Sequence, residues 1–329
     1  MNELHAVHVV EAALRLSGNP MAWMVPVAEE FSRAWSDPLA TTAQEYEIVE
    51  GEVRLLNEVQ RGPLGLQLSR AGLQTISSEQ VAHVYGKPAQ CVSATEVLGD
   101  PLPRALSQQW GMSGVRDVVG VFSRDAEGRG VAVAAALPNA VQISPRARAR
   151  WIQVAHQLGL AARLHRMLGT TSLDALPHAR LDGAGRVLDA AGDAGEIEVR
   201  AQLRELVRTL ERARAAAEHG DVDSALKMWE QLARGEWVLV DQFDADGKRH
   251  VVAAPCPAAA SLRALSSQQE AVARAAGQGL SSREIGKQLS LSERAVDNQL
   301  ARAMQKLGIP NRVALVRLFT ALERGGHVS

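Results

Sequence analysis

The sequence predicts an α+β body of two lobes followed by an all-α tail of four short helices. Three observations carry this. Helical periods give way to a strand pair and a long helix before residue 170; a strand, strand, helix, helix, hairpin order fills 171–258; and helix-start signals follow one another from Leu265 to Arg317. A chain of 329 residues accommodates two or three domains at about 150 residues each. The expected domains are residues 1–170, 171–258 and 262–329. Charge divides the same way: from Ser261 onward there are ten Lys/Arg against five Asp/Glu, and upstream 26 against 32. A basic tail on an acidic body points to a polyanionic partner for the tail alone.

In the first lobe, apolar residues recur at helical spacing across Leu4–Leu16 and Met21–Trp35. Arg116–Leu137 reads as two strands around an Asp-Ala-Glu-Gly-Arg turn. Ser144 is placed to N-cap a long helix with Pro145 at its first position, where the missing amide is not needed. Trp151, Ala155, Leu158 and Ala162 mark one stripe of it, and Gly169-Thr170-Thr171-Ser172 reads as a linker.

The second lobe opens with two strand-like runs around Asp182-Gly183-Ala184-Gly185. Val199, Leu203, Leu206, Leu210, Ala213 and Ala217 then alternate four and three apart, the a/d spacing of a heptad. Two readings fit that stripe: a helix packed on its own sheet, or a dimer seam. A helix over Val222–Ala233 and a hairpin with an Asp246-Gly247 turn complete the lobe. Pro255-Cys256-Pro257 and three alanines end the body and begin a hinge.

In the tail, Ser267-Gln-Gln-Glu270 and Ser281-Ser-Arg-Glu284 both fit the capping box, in which Ser and Glu each satisfy one orphan amide. Gly277 and Gly279 break the chain between them, and Ile285 and Leu289 give the second helix its buried stripe. Ser292 caps a third helix with Val296, Leu300, Ala303 and Leu307 inward, and Gly308 is placed to stop it. Asn311 can cap a fourth helix carrying Leu315, Val316, Phe319 and Leu322.

This segment resembles the LuxR-type (GerE-like) helix-turn-helix family through Leu265, Glu270, Gly279, Ser281, Glu284, Ile285, Leu289, Ser292, Val296, Leu300, Lys306, Leu307, Gly308 and Arg312. The resemblance implies a transcriptional regulator whose partner is double-stranded DNA: the third helix enters the major groove, the second braces it, and the fourth makes dimer contacts. The expected DNA-facing residues are Arg283, Lys287, Arg294, Asp297, Asn298, Gln299, Ala301, Arg302, Lys306 and Arg312. One departure stands out. Where the family pattern has threonine, valine, lysine, a variable residue and histidine, this chain has Ala295, Val296, Asp297, Asn298 and Gln299, and a common basic position one turn later is Ala301. Phosphates repel Asp297, but a carboxylate can accept from cytosine N4, while Asn298 suits an adenine edge and Ala301 a thymine methyl. The alternative is a helix-turn-helix-derived protein-interaction module that no longer binds DNA.

Upstream, element order alone resembles a GAF domain before residue 170 and a short PAS domain after it. That resemblance implies a sensor body, its effector an unknown small molecule or protein; the heptad-spaced helix and the apolar fourth helix point to a homodimer. The fold class is therefore α+β multidomain: a GAF/PAS-like body followed by an all-α LuxR-type domain.

Enzymatic readings find no constellation to rest on. No Gly-rich loop ends in Gly-Lys-Ser/Thr, and Asp241, Asp244 and Asp246 lack the closing glutamate of a calcium loop. Cys91, His83 and Tyr85 do not form a recognisable thiol site, and two cysteines frame neither a disulfide network nor a zinc site unaided. His5 and His8, three apart on a helix, could share a metal, but the sequence shows no third ligand. No cofactor or metal is expected. The longest apolar run, Val131–Leu137, is far short of a membrane span, and the acidic and histidine residues at the start spoil a signal-peptide core, so the cytoplasm is the expected compartment.

Overall fold

The computed structural model describes residues 4–16, 22–62, 77–98, 114–125, 128–170, 173–176, 178–233, 236–244, 246–256, 265–306, 312, 315 and 316. The first lobe holds a five-stranded antiparallel sheet of β1 (Ala40–Val49), β2 (Glu52–Arg61), β3 (Ala89–Ser93), β4 (Asp117–Arg124) and β5 (Arg129–Leu137), in the order β2-β1-β5-β4-β3. The expected hairpin is β4–β5, with the Asp125 carboxylate accepting from the Arg129 amide at 2.9 Å. The other three strands are not expected from the sequence. In β1, Thr41, Thr42, Gln44 and Glu45 are all buried, so polar residues occupy interior positions and erase the hydropathy alternation. Gly130 is required in β5: a Cβ there would lie 2.3 Å from the Tyr46 ring, whose hydroxyl donates to the Ser123 carbonyl at 3.0 Å. Burial pushes the Tyr46 hydroxyl well above the usual tyrosine range.

One face of the sheet is covered by α2 (Met24–Arg33) and α5 (Pro145–Thr170), with α1 (His5–Ala13) packed on both helices; the short helices α3 (Ser78–Tyr85) and α4 (Ala94–Leu98) pack on the other face. Helix α5 starts as expected, the Ser144 hydroxyl accepting from the Ala147 amide at 3.2 Å. Its stripe of Trp151, Ala155, Leu158 and Ala162 is buried, with Trp151 stacked on Trp35 and edge-on to Phe31. The expected linker needs correcting. Gly169 and Thr170 are the last residues of this helix, because its apolar face extends through Leu164 and Leu168 and keeps propagation favourable; 171–172 lie outside the described residues.

The second lobe is a four-stranded antiparallel sheet of β6 (His178–Leu181), β7 (Val187–Ala191), β8 (Trp237–Phe243) and β9 (Arg249–Pro255), in the order β7-β6-β9-β8, with α6 (Ile197–Glu218) and α7 (Val222–Ala233) between its two hairpins. In the β8–β9 turn, Asp244 accepts from the amides of Asp246 and Lys248, so the carboxylate serves the hairpin. The stripe of α6 is buried within its own chain through Leu203, Val207, Leu210, Ala213 and Ala217, against α7 and β8. Val207, not Leu206, takes the inner position, since a straight helix drifts from the strict heptad. The packed-helix reading therefore holds, and the stripe is not available as a dimer seam.

The lobes are stitched together by more than the chain connection. Their hydrophobic core is continuous from α1, α2 and α5 into α6, α7, β8 and β9. The segment after α1 pairs with β8 at Asp241, the Leu16 amide reaching the Asp241 carbonyl at 2.8 Å and the Asp241 amide the Leu14 carbonyl at 3.0 Å. The buried Asp241 carboxylate accepts from Arg214 of α6 and, at 2.8 Å, from Arg249 of β9, while Arg214 also pairs with Glu11 of α1. Such a network is costly to break from one side, because the remaining charge is left buried. Cys91 and Cys256 are free and buried, and burial pushes the Cys91 thiol up to about 12, the wrong direction for a nucleophile. Among the described residues no helix is long and apolar enough to cross a membrane.

Candidate nucleic-acid interface

The tail has its own small core, separate from that of the body, built by α8 (Ser267–Gly277), α9 (Ser282–Leu289) and α10 (Glu293–Lys306). Val272, Ala273 and Ala276 of α8 meet Ile285 of α9 and Val296, Leu300 and Ala303 of α10. Of the expected fourth helix, Arg312, Leu315 and Val316 are described, all helical, with Leu315 buried in this core; Leu307, Gly308, Asn311, Phe319 and Leu322 lie outside the described residues.

The first capping box sits one residue earlier than the sequence suggested. Ser266, not Ser267, is the cap, accepting from the Gln269 amide at 3.3 Å while the Gln269 side chain accepts from the Ser266 amide at 3.1 Å. The shifted box buries Gln269 and frees Glu270 to pair with Arg274 one turn on. The second box is as expected: Glu284 accepts from the Ser281 amide at 2.7 Å and its hydroxyl at 2.6 Å. Those bonds hold the Glu284 carboxyl below its usual range.

A tight turn sets α10 against α9. Ser290 adopts a left-handed conformation, φ 55°, and the Leu291 amide closes on the Gly286 carbonyl at 2.9 Å. Gly286 makes room for this turn, since a Cβ there would lie 2.6 Å from the Leu291 carbonyl oxygen. Ser292 then caps α10, its hydroxyl accepting from the Ala295 amide at 3.2 Å.

With Val296, Leu300 and Ala303 inward, the rest of α10 is divided by helix geometry, at about 100° per residue. Asn298 points opposite the buried stripe, and Arg294 and Arg302, one turn before and after it, flank it in one exposed row. None of the three has a hydrogen-bond or ion-pair partner among the described residues. Asp297 is exposed but lies about 90° round from the outward direction, so it edges that row rather than leading it. Ala301 is exposed beside it. Gln299, on the opposite flank, donates to Gln268 of α8 at 3.1 Å and is half-buried. Arg283 and Lys287 lie exposed on α9, one turn apart.

One expected residue falls elsewhere. Arg312 is half-buried and donates to the Ser282 hydroxyl at 3.1 Å and to the Leu280 carbonyl. It ties the chain after α10 back to the junction of α8 and α9, a role its charge alone did not reveal. Lys306 ends α10, and its side chain lies outside the described residues.

Three packed helices, the second and third joined by a tight turn, define a helix-turn-helix domain. Residues 263–319 match the family model for bacterial regulatory proteins of the luxR family, and this segment belongs to that family. No curated protein matches the chain. Among solved structures, SdiA in complex with octanoyl-rac-glycerol aligns over 95% of this chain and 100% of its own, at 10% identity and a TM-score of 0.31. A likeness that slight carries no argument about the body.

Proposed function

We propose that this chain is a DNA-binding transcriptional regulator, with residues 262–329 as the DNA-binding domain. The observation that carries the proposal is the outward row Arg294–Asn298–Arg302 on α10, exposed and without partners among the described residues, within a LuxR-family domain. Arginine contacts to phosphate supply most of the affinity of such interfaces and make it salt-dependent. Asn298 at the centre of the row suits bidentate bonding to adenine, and Asp297 at its edge suits a cytosine N4 donor. Arg283 and Lys287 extend the positive surface onto α9, so phosphates are met on both sides of the groove-facing helix. Gln299 contributes by holding α10 against α8, and Arg312 by holding the domain together.

Upstream, residues 1–170 act as a GAF-like lobe and 171–258 as a PAS-like lobe that receive a small-molecule or protein effector in the cytoplasm. Support comes from the two antiparallel sheets with helices packed against them and from the core they share. Two such chains bind paired half-sites as a homodimer, through surfaces other than the α6 stripe.

A second reading is favoured by one observation: Glu293 and Asp297 stand one turn apart, both exposed, and form an acidic edge on the helix meant for the groove. In that reading the domain docks a protein instead. A gel-shift salt series of the full chain on mixed-sequence duplex DNA separates the two. The proposal expects a shift at low salt that weakens steeply as salt rises; no shift at any salt, with the tail folded, supports the interaction module.

A further inference from the structure

We propose that His5, His8 and Glu30 form a binding site for a divalent transition-metal ion of the zinc class, joining α1 to α2. The sequence places the two histidines three apart, which puts both imidazoles on one face of α1. Chain folding brings Glu30 of α2, distant in sequence, to that same face. The Glu30 Oε2 atom lies 3.0 Å from His5 Nδ1 and 3.6 Å from His8 Nδ1. One ligand atom from each of the three residues lies within 4.8 Å of the other two, the one such grouping of His, Cys, Asp or Glu among the described residues.

These distances suit a shared ion. Zinc binds imidazole nitrogen and carboxylate oxygen at about 2.0–2.2 Å, so neighbouring ligands of a tetrahedral site stand roughly 3.3 Å apart. The two separations to Oε2 straddle that value, and the histidine rings, edge to face with centroids 5.4 Å apart, need only rotate to converge. Arg33 bonds the other carboxylate oxygen, Oε1, which leaves Oε2 turned toward both rings. Outer partners of this kind orient metal ligands. The site is partly open, with side-chain exposures of 17% for His5, 38% for His8 and 19% for Glu30, so an ion can enter from solvent. Three protein ligands leave a fourth position for water or a small anion. Two imidazoles and one carboxylate, with no thiolate, select zinc-like or iron-like ions over magnesium or calcium.

An ion here would fix α1 against α2. Because α1 also carries Glu11, paired with Arg214 of the second lobe, metal binding would stiffen the contact between lobes. The site stands apart from the DNA-binding reading and survives its failure.

Isothermal titration of the full chain with Zn2+ at neutral pH tests the proposal, with Mg2+ as the comparison. The expected result is saturable binding of about one equivalent of Zn2+ and none of Mg2+, with affinity falling about tenfold or more in each of His5→Ala, His8→Ala and Glu30→Gln. Zn2+ should also raise the melting temperature of the native chain, as a ligand of the folded state must. Because His5 and Glu30 are half-buried, His8→Ala is the variant least prone to misfold and decides if the others do not fold. Absence of saturable binding, or binding that all folded variants retain, overturns the site and assigns any metal to other histidines.

Discussion

Two helices of this chain, α6 and α10, share an amphipathic period but have opposite fates. Helix α6 carries the more regular heptad and spends it inside its own lobe, where Leu203, Val207 and Leu210 are buried. Helix α10 buries the shorter stripe Val296–Leu300–Ala303 and keeps a polar row exposed, without partners among the described residues. Periodicity announces that a helix will bury one face; it does not say against what. Only the chemistry of the opposite face hints at a partner, and there the helices differ: Arg208 and Arg212 of α6 pair with Glu205 of the same helix, whereas Arg294 and Arg302 have no ion-pair partner among the described residues.

That contrast can be broken where it is strongest. Leu203→Ala should destabilise the body by about 2–5 kcal/mol in denaturant melts, as for a fully buried leucine, and should leave any concentration dependence of the midpoint as it is in the native chain. A concentration dependence that Leu203→Ala abolishes would return α6 to the role of a dimer seam. In the tail, Gly286→Ala should lower stability by about 1–3 kcal/mol, because the atom it meets is backbone and the turn into α10 must move. Thermal melts of the isolated transition read this directly; an unchanged tail transition would mean that the turn does not set the angle of α10. Ser281→Ala removes one cap and should reduce tail stability by about 1 kcal/mol, leaving the body transition in place.

A pH series sharpens the contrast further. His165 of α5 is buried, stacked on Trp23 at 4.9 Å and bonded to the Ala13 carbonyl at 3.0 Å, and burial pulls its pKa below the ordinary 6.5. Its folded form binds fewer protons than the unfolded chain, so its contribution is present above about 6.5 and is lost as pH falls from there through the lowered folded value. The body should therefore lose stability with acidification over that range, and His165→Gln should flatten the slope. The basic face of α10 holds no such group.

Much of this was legible in the sequence, and what was not has physical causes. Ser144-Pro145, the Asp246-Gly247 turn and the Ser281 capping box each act through a few neighbouring residues, so local spacing reveals them. The strands β1 and β3 did not show, since buried Thr41, Thr42, Gln44 and Gln90 break the alternation by which strands are recognised. Adjacent serines concealed which one caps α8; tertiary packing chose Ser266 by burying Gln269. On α10 the identities of the candidate residues were readable, but not their directions: Asp297 looked central and lies at the edge. Arg312 read as a free cation and is a tie, because its acceptors are separated from it in sequence. Glu30, the group that completes the histidine pair, was hidden for the same reason.

In the proposed function, the outward row of α10 meets the phosphates of a duplex. Fluorescence anisotropy of the full chain on labelled duplex DNA, across a salt series, tests it through Arg294→Ala and Arg302→Ala. Each variant should weaken binding at low salt and lower the slope of log affinity against log salt by about 1, while Asp297→Lys should raise both. Slopes that stay the same in both arginine variants, with the tail folded, would contradict it.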